Sequence, residues 1–466
     1  GGTTEMRVDL GATATVGVNI DGSGTLNKLG AGTLVLNGTN SHSGGTQLSD
    51  GTLVVGSNTA LGTGNLFVTG ASKLSTNGNL TLANNTVLSA DLTVQGTDDL
   101  TLSGEVSGAG RLIKNSSGSL TLSGNNANYS GLTNLNQGTL ILGSSNALGS
   151  GGLNVFVGTL KANASVSLAN QVSLFGTLTV SGNDNLTFNG ALTGGGGLSK
   201  SGTADLTLNG ANFYLGGTTL SGGRLVVGNN SSLGLGALAV AGASTLSSSG
   251  NVTLANNVTL NAGLTVDGAN DLTLNGVING NFGLTKSGSG NLTINGNNGY
   301  QGGTQLNAGR LTLGSSGALG TGTLAVTADA TLANSSPMAL GNTIALSNSA
   351  NLTVETANAL ILSGDLGGNG NLIKTGVDDL TLVGVKTFTG NVDIQAGSLT
   401  TLGSGVLANV GTLNVGSSGQ LNLNGNASLG SLTGSGQVDV GIGSVLSLGS
   451  NNLSSTFAGG LNGLGG

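Results

Sequence analysis

Short stretches in which apolar and polar residues alternate recur along the whole chain. Thr33-Leu34-Val35-Leu36, Thr52-Leu53-Val54-Val55 and Asp91-Leu92-Thr93-Val94 each place two apolar side chains on one face, which is the period of a half-buried β-strand. Clusters of Gly, Asn and Ser separate these stretches and are typical of turns. No window holds a helical period, so the pattern predicts an all-β chain of very short strands.

A longer period organises these strands. The motif Leu-x-Lys, followed shortly by a second Leu-containing strand, occurs five times, and its lysines are 86, 86, 86 and 88 residues apart. A second marker, Leu-Ala-Asn, ends at Asn84, Asn170 and Asn256 and weakens to Leu340-Gly341-Asn342. The recurring lysines are Lys28, Lys114, Lys200, Lys286 and Lys374. We therefore predict entry strands at 1–21, five repeats at 22–107, 108–193, 194–279, 280–367 and 368–455, and the start of a further turn or a C-terminal tail at 456–466.

Strands this short and this poor in large side chains do not close a sandwich core. A coiled chain solves the problem, because each strand pairs in parallel with its copy above and below. With roughly 20 to 22 residues in a turn, each repeat makes four turns. We predict a right-handed parallel β-helix, that is a β-solenoid of roughly 20 turns, with the hand taken from the usual preference of parallel crossovers.

Composition narrows the function classes. The 466 residues include 90 Gly, one Pro and no Cys, and only 7% are charged, with a net charge of −7. One Pro excludes collagen, and the absence of Cys excludes disulfides and thiolate chemistry. Twelve basic against nineteen acidic residues give no basic face, so we predict no nucleic-acid partner. No apolar run reaches 18 residues, so we predict no transmembrane helix.

A catalytic or metal-binding histidine would have to be His42, the only His in the chain. Alignment of the repeats places a ring in this slot every time, at His42, Tyr129, Tyr214, Tyr300 and Phe388. A ring beside Gly-Gly at a tight corner explains all five copies, whereas catalysis explains one. We predict structural rings at equivalent corners, four turns apart.

Acidic pairs occur at Asp98-Asp99 and Asp378-Asp379. Adjacent strand residues point to opposite faces, so neither pair converges on one sugar as a glycosidase pair does. We interpret both as solvated turn residues and predict no catalytic residue, metal site or cofactor. A polysaccharide-acting enzyme built from carboxylates on stacked turns stays an alternative.

The recurring lysines allow two interpretations. If each repeat made four turns, they would form one row with about 19 Å between neighbours, which could meet an anionic polymer. Alternatively, each Lys ends a strand at an exposed corner and keeps the stacked edges soluble. Parity with the preceding Leu would point Lys inward unless the strand stops there. We favour the exposed corner.

One stretch carries a family resemblance. Residues 288–304 read GSGNLTINGNNGYQGGT, which resembles the autotransporter-associated β-strand repeat, also called the passenger-associated transport repeat. Similar stretches lie near 32–46 and 205–218 and, more loosely, at 119–133, whereas the fifth copy replaces Gly-Gly-Thr by Gly390-Asn391-Val392. The resemblance implies a type V secretion autotransporter passenger domain, extracellular or displayed on the surface of a Gram-negative bacterium.

Such passengers serve adhesion, aggregation or biofilm formation, which suggests an adhesive or extending rod that contacts copies of itself or surface or matrix polysaccharide. The family's translocator barrel is expected C-terminal to the passenger, in a segment missing from this chain. Residues 459–466 repeat the run that precedes each Leu-x-Lys strand, so we expect a downstream segment, or the first turn of a neighbouring molecule, to continue the coil. The second option describes a head-to-tail filament subunit.

Overall fold

A computed structural model describes residues 2–450, 452 and 454–463. Every regular element in these residues is a β-strand and none is a helix, which confirms the all-β prediction. The chain forms two compact units, residues 1–237 and 238–466, and each is described by itself. Both are parallel β-solenoids, with about 23 turns in all, close to the predicted 20. The hand of the coil stays a prediction.

The first unit contains strands β1 to β27. In chain order they are Thr3–Arg7, Thr13–Val16, Thr25–Leu29, Thr33–Leu36, Thr46–Leu48, Gly51–Val55, Leu66–Val68, Ser72–Thr76, Leu80–Leu82, Thr86–Leu88, Leu92–Val94, Leu100–Leu102, Val106–Gly108, Leu112–Leu122, Thr133–Leu142, Leu153–Val155, Gly158–Ala162, Val166–Leu168, Val172–Leu174, Leu178–Val180, Leu186–Phe188, Leu192–Gly194, Leu198–Lys200, Asp205–Leu208, Phe213–Tyr214, Thr218–Leu220 and Arg224–Val227.

The second unit contains strands β28 to β54. In chain order they are Leu238–Val240, Ser244–Ser248, Val252–Leu254, Val258–Leu260, Leu264–Val266, Leu272–Leu274, Ile278–Gly280, Leu284–Lys286, Asn291–Ile294, Thr304–Leu306, Arg310–Leu313, Leu324–Val326, Ala330–Asn334, Met338–Leu340, Ile344–Leu346, Asn351–Thr356, Leu360–Leu362, Leu366–Gly368, Asn371–Thr375, Leu380–Val383, Val392–Leu402, Thr412–Asn424, Ala427–Leu429, Ser431–Gly434, Gln437–Val440, Leu446–Leu448 and Gly460–Gly463.

Strands stack in three columns around the first unit, with about 20 residues between one level and the next. The first column runs through β3, β5, β7, β10 and β13. The second runs through β4, β6, β8, β11, the start of β14 and of β15, β16, β19, β22 and β25. The third runs through β9, β12, the end of β14 and of β15, β17, β20, β23 and β26. The strands β18, β21, β24 and β27 stack at the same spacing in a further series, so successive strands within each series lie one turn apart.

The predicted four turns per repeat is wrong, because a repeat makes four turns plus one further strand. Four levels beyond Lys28 in the first column lies Gly108, and Lys114 follows six residues later in the second column. In the second unit, Gly368 lies four levels beyond Lys286, and Lys374 again follows six residues later. Four turns of about 20 residues use only about 80 of the 86. Equivalent residues of successive repeats therefore move to the next column.

Inward-facing leucines form the core of each column. Leu100, Leu120, Leu140 and Leu160 stack in register at successive levels of the third column, and each is at most 2% exposed. Burying a Leu side chain is worth about 1.5–3 kcal/mol. On the outer face of the second column, Asn154 Nδ2 donates a hydrogen bond to Asn134 Oδ1 one level earlier (3.0 Å). The alternation read from the sequence is thus an inside–outside alternation.

The C-terminal levels continue the same pairing. β54 runs parallel to β52, with Leu461 opposite Val438. Residues 464–466, the remainder of the run predicted to lead into another Leu-x-Lys strand, lie outside the described residues. The repeat boundaries derived from the sequence stay predictions.

Candidate functional site

The five recurring lysines lie inside the solenoid, so the predicted exposed corner is wrong. Each is at most 2% exposed. Lys374 Nζ donates hydrogen bonds to the carbonyl oxygens of Thr375, Gly376 and Ala396, each at 2.9 Å. Parity alone gives the correct direction, because Leu and the Lys two residues later face the same side of the strand. An anionic polymer outside the solenoid does not reach these ammonium groups.

The same arrangement recurs in the other repeats. Lys28 Nζ donates to the carbonyls of Leu29 and Asp50 at 3.1 Å, and Lys200 Nζ donates to those of Ser201 and Gly202 at 2.9 and 3.0 Å. The chain bends directly after the strand, so carbonyl groups that leave the ladder turn towards the ammonium. A buried ammonium without such acceptors would be very unfavourable.

A glycine closes each lysine site from the next turn. These glycines have φ between +67° and +78°, where only Gly is unstrained, and a Cβ on any of them would lie 2.7–2.8 Å from the lysine Nζ. They are Gly51, Gly138, Gly223, Gly309 and Gly397. Lysine and glycine therefore form one structural pair in every repeat.

Burial changes the acidity of these lysines. Desolvation lowers the pKa of Lys114 to about 8, against a smaller opposing effect of Asp99. It likewise lowers the pKa of Lys374 to about 8, where Asp379 and Asp378 oppose it. The pKa values of Lys28, Lys200 and Lys286 fall for the same reason. At pH 7 Lys114 and Lys374 therefore remain mostly protonated and act as hydrogen-bond donors.

The five rings occupy one kind of buried slot. Each is at most 1% exposed. The hydroxyl groups of Tyr214 and Tyr300 pair with the Oγ1 of the Thr four residues later at 2.5 Å. His42 Nε2 makes the same contact with Thr46 Oγ1 at 3.0 Å. Tyr129 instead donates its hydroxyl hydrogen to the Leu132 carbonyl at 2.8 Å.

The slots are locally alike but do not lie above one another. Tyr129 pairs with Gly108 in the first column, whereas Tyr214 pairs with Gly194 in the second. The prediction that the rings lie at equivalent corners four turns apart is therefore wrong, because each repeat contains one further strand. Burial lowers the pKa of His42 and keeps its imidazole neutral near pH 7. Among the described residues, no three His, Asp or Glu side chains group together as metal ligands would.

Sequence reasoning missed one set of buried residues. Asn126 Oδ1 accepts a hydrogen bond from Val106 N, and its Nδ2 donates to the Ala147 carbonyl, both at 2.7 Å. One amide thus links three consecutive turns. The same bridges form at Asn40, Asn212 and Asn298. Their spacing of 86 residues was the signal that could have found them.

The asparagine of the Leu-Ala-Asn marker also has a structural role. Asn84 Nδ2 donates to the carbonyls of Gly62 and Gly64 at 3.0 and 2.6 Å, and Asn342 repeats this with Gly320 and Gly322. In the fifth repeat Lys386, 1% exposed, donates to the Val383 carbonyl at 2.7 Å. Repeated polar residues thus hydrogen-bond to backbone groups that leave the β-ladder.

The acidic pairs lie in turns, as predicted. Asp98 and Asp99 precede β12, and their carboxylates accept hydrogen bonds from Gly78 N at 2.8 Å and Ser119 N at 2.7 Å. Asp379 accepts from Ser398 Oγ and Thr400 Oγ1 at 2.7 Å. These carboxylates therefore connect successive levels of the coil.

Burial of lysine makes the surface more acidic than the composition suggests. Six of the twelve basic side chains are buried lysines, whereas none of the nineteen acidic residues is buried. Among the remaining basic residues, Arg111 pairs with Asp91 (2.6 Å) and Arg310 pairs with Glu355. The negatively charged surface should therefore repel anionic partners at long range.

These features define a class of protein, a repetitive parallel β-solenoid whose recurring polar residues serve its own backbone. The passenger-associated transport repeat matches residues 26–55, 112–142, 198–227, 284–313 and 372–401. The chain is therefore an autotransporter passenger-associated repeat protein.

One curated relative is the adhesin BmaC autotransporter of Brucella suis biovar 1 (strain 1330). It is 34% identical over 133 residues, which cover 25% of this chain and 4% of the adhesin. The chain thus spans only a small part of that relative's length. No solved structure matches the chain significantly. Within the described residues, no helix is long and apolar enough to cross a membrane.

Proposed function

We propose that this chain is a non-enzymatic part of an autotransporter passenger that acts as an adhesive or extending rod, outside or on the surface of a Gram-negative bacterium. The proposal rests on the observation that the repeated side chains point into the coil. The recurring lysine and asparagine side chains and the His and Tyr rings bond to backbone or to a neighbouring hydroxyl inside the coil, and the Phe388 ring is buried there. Repetition of this kind extends a scaffold and leaves its outer surface free to vary. The name of the adhesin relative supports the adhesive role.

Adhesion can be measured with the purified full chain. Beads coated with it should bind host epithelial cells or matrix polysaccharide more than albumin-coated beads, and soluble chain should compete. A heat-denatured preparation of the same chain is the matched control. Equal binding by both preparations, or no binding by the native one, would overturn the adhesive role.

The enzymatic alternative has its own measurement. Acidic and neutral polysaccharides incubated with the chain should show no increase in reducing ends. A sustained increase that disappears after replacement of Asp379 by Asn would establish a polysaccharide-cleaving enzyme instead.

A further inference from the structure

Large exposed apolar side chains gather at one corner of the first unit. Phe156 and Phe175 directly follow β16 and β19, and they are 46% and 62% exposed. Leu215 and Leu235, at later levels of the same corner, are 60% and 67% exposed, and Phe213 in β25 is 55% exposed. We call these five residues the apolar corner. Three of the four phenylalanines in the described residues that are this exposed belong to it.

The corner forms a column with one vacant level. Phe156 and Phe175 stack with ring centroids 4.9 Å apart and an interplanar angle of 12°. The strand registers place Gly195 at the next level and Leu215 at the one after it. A Cβ on Gly195 would meet no atom within 4 Å. With about 4.8 Å between levels, Phe175 and Leu215 flank a notch about as wide as one apolar side chain.

The other repeats provide internal controls, since the fold does not require these apolar residues. Thr69, Ala241 and Thr327 follow the strands equivalent to β16, and Ser89, Asn261 and Ser347 follow those equivalent to β19. The residue after the ring is Leu215 here but Ser43, Ser130 or Gln301 elsewhere. Thr, Ser, Ala and Asn are thus compatible with the backbone. The apolar corner is an addition to the scaffold.

Charge decides which partner this surface accepts. Residues 130–160, 171–176, 191–196, 211–216 and 233–236 contain no charged side chain. The rest of the surface is acidic, so two copies of this chain repel each other in most orientations. Contact through the uncharged corner avoids that repulsion. A two-fold arrangement would bring the same patch from each copy together.

The area is compatible with a dimer. The exposed parts of the five side chains amount to an area on the order of 600 Å², at the upper end of the largest patch on a typical monomer. A stable interface buries about 800 Å² per partner, and the polar outer face of the second column, including Asn134 and Asn154, lies beside the patch to provide the remainder. The notch at Gly195 gives such an interface a pocket for an anchoring side chain.

We propose that the apolar corner is the interface through which two copies of this chain associate, with an apolar side chain of each copy seated in the notch of the other. The inference goes beyond the adhesive role proposed above, because it concerns association in dilute solution. Its outcome does not depend on binding to a cell or a polysaccharide.

Sedimentation equilibrium of the full chain, up to on the order of 100 µM, tests the proposal. The natural sequence should form dimers, and the double variant Phe156→Thr/Phe175→Ser should associate at least about tenfold more weakly. Both substitutions introduce residues that other repeats use at the same place, so circular dichroism should be unchanged, as should thermal unfolding at concentrations where both chains are monomeric. Gly195→Leu, which fills the notch, should also weaken the dimer. Phe282→Ser, which removes an equally exposed ring in the second unit, is the matched control and should have no effect.

Two outcomes would overturn the proposal. One is a natural chain that is monomeric throughout this range, and the other is a double variant that dimerises as tightly as the natural chain. In the first case, binding of the monomeric chain to phosphatidylcholine vesicles through these phenylalanines would identify a lipid surface as the partner.

Discussion

The lysine sites and the apolar corner follow opposite rules. At the lysine sites the same pair recurs five times, and a glycine with positive φ closes over each ammonium. At the corner, Phe156 and Phe175 stand where other repeats have Thr, Ser, Ala or Asn. The comparison separates what the coil needs from what this chain has added. Residues that recur in every repeat maintain the backbone, whereas residues that depart from the repeat on the outer surface are candidates for recognition.

This difference between inward and outward positions arises from the number of neighbouring residues that each side chain contacts. An inward side chain contacts the levels before and after it, so a change there leaves either a void or a polar group without a partner. An outward side chain contacts its column on one side and water on the other. Substitution there is usually worth less than about 0.5 kcal/mol.

The largest expected effect is the loss of a lysine site. Lys114→Met keeps the length of the side chain but leaves the Ser116 and Gln137 carbonyls, which accept from Nζ at 2.5 and 3.3 Å, without a donor. We expect a loss of about 3 kcal/mol in the free energy of unfolding, measured by urea titration. Phe156→Thr should change it by less than about 0.5 kcal/mol. Equal losses in the two variants would break the comparison.

Alkaline pH should also change the stability, and the lysines and tyrosines should act in opposite directions. Folding lowers the pKa of Lys114 and Lys374 from 10.5 to about 8, so above pH 8 the unfolded chain holds more protons and stability should rise. Burial raises the pKa of Tyr129, Tyr214 and Tyr300 from 10.0 to about 12. Above pH 10 the unfolded chain then holds fewer protons, and stability should fall.

Urea titrations at half-unit intervals from pH 7 to 11 should therefore show a maximum near pH 10. The Lys114→Met variant should show a shallower rise below the maximum and the same fall above it. A steady decline from pH 7 would contradict the assignment of the lysines as buried, desolvated groups.

The sequence was sufficient for the fold class and for the existence of the repeat. Alternating short strands and the 86-residue spacing predicted a β-solenoid, and Leu100, Leu120, Leu140 and Leu160 already contain the turn length. Because 86 is not a multiple of 20, the sequence already implies that each repeat shifts by one column. The prediction of four turns per repeat does not include this shift. The error placed the five lysines in a single row.

The lysine sites show why the rest was harder. Parity points the Lys side chains inward unless the strand stops, and the exposed corner is favoured only because it would keep the stacked edges soluble. Only the fold shows that carbonyls of two successive turns converge on each ammonium. The apolar corner was equally hidden, because Phe156, Phe175 and Leu215 are far apart in sequence and the column that unites them follows from strand register.

The smallest expected effect concerns the one ring slot that differs. His42→Tyr introduces the residue that three other repeats have there and provides a hydroxyl for Thr46 Oγ1, so we expect a gain of about 0.5–1 kcal/mol at pH 7. Because burial lowers the pKa of His42 below 6.5, protonation favours the unfolded chain as the pH falls through that value. The gain should therefore grow between about pH 6.5 and pH 5.

The reverse exchange sharpens this prediction. Tyr214→His places an imidazole beside Thr218 in another column, and it should cost about 1 kcal/mol at pH 7 and introduce a new loss of stability below pH 6.5. Urea titrations of both variants at pH 7 and pH 5 are sufficient. Folding lowers the pKa values of Asp91, Asp329 and Asp439 from 3.8, so these three carboxylates titrate below this window. If His42→Tyr reduces adhesion while leaving stability intact, the ring at this slot has a functional role that the other four repeats do not share.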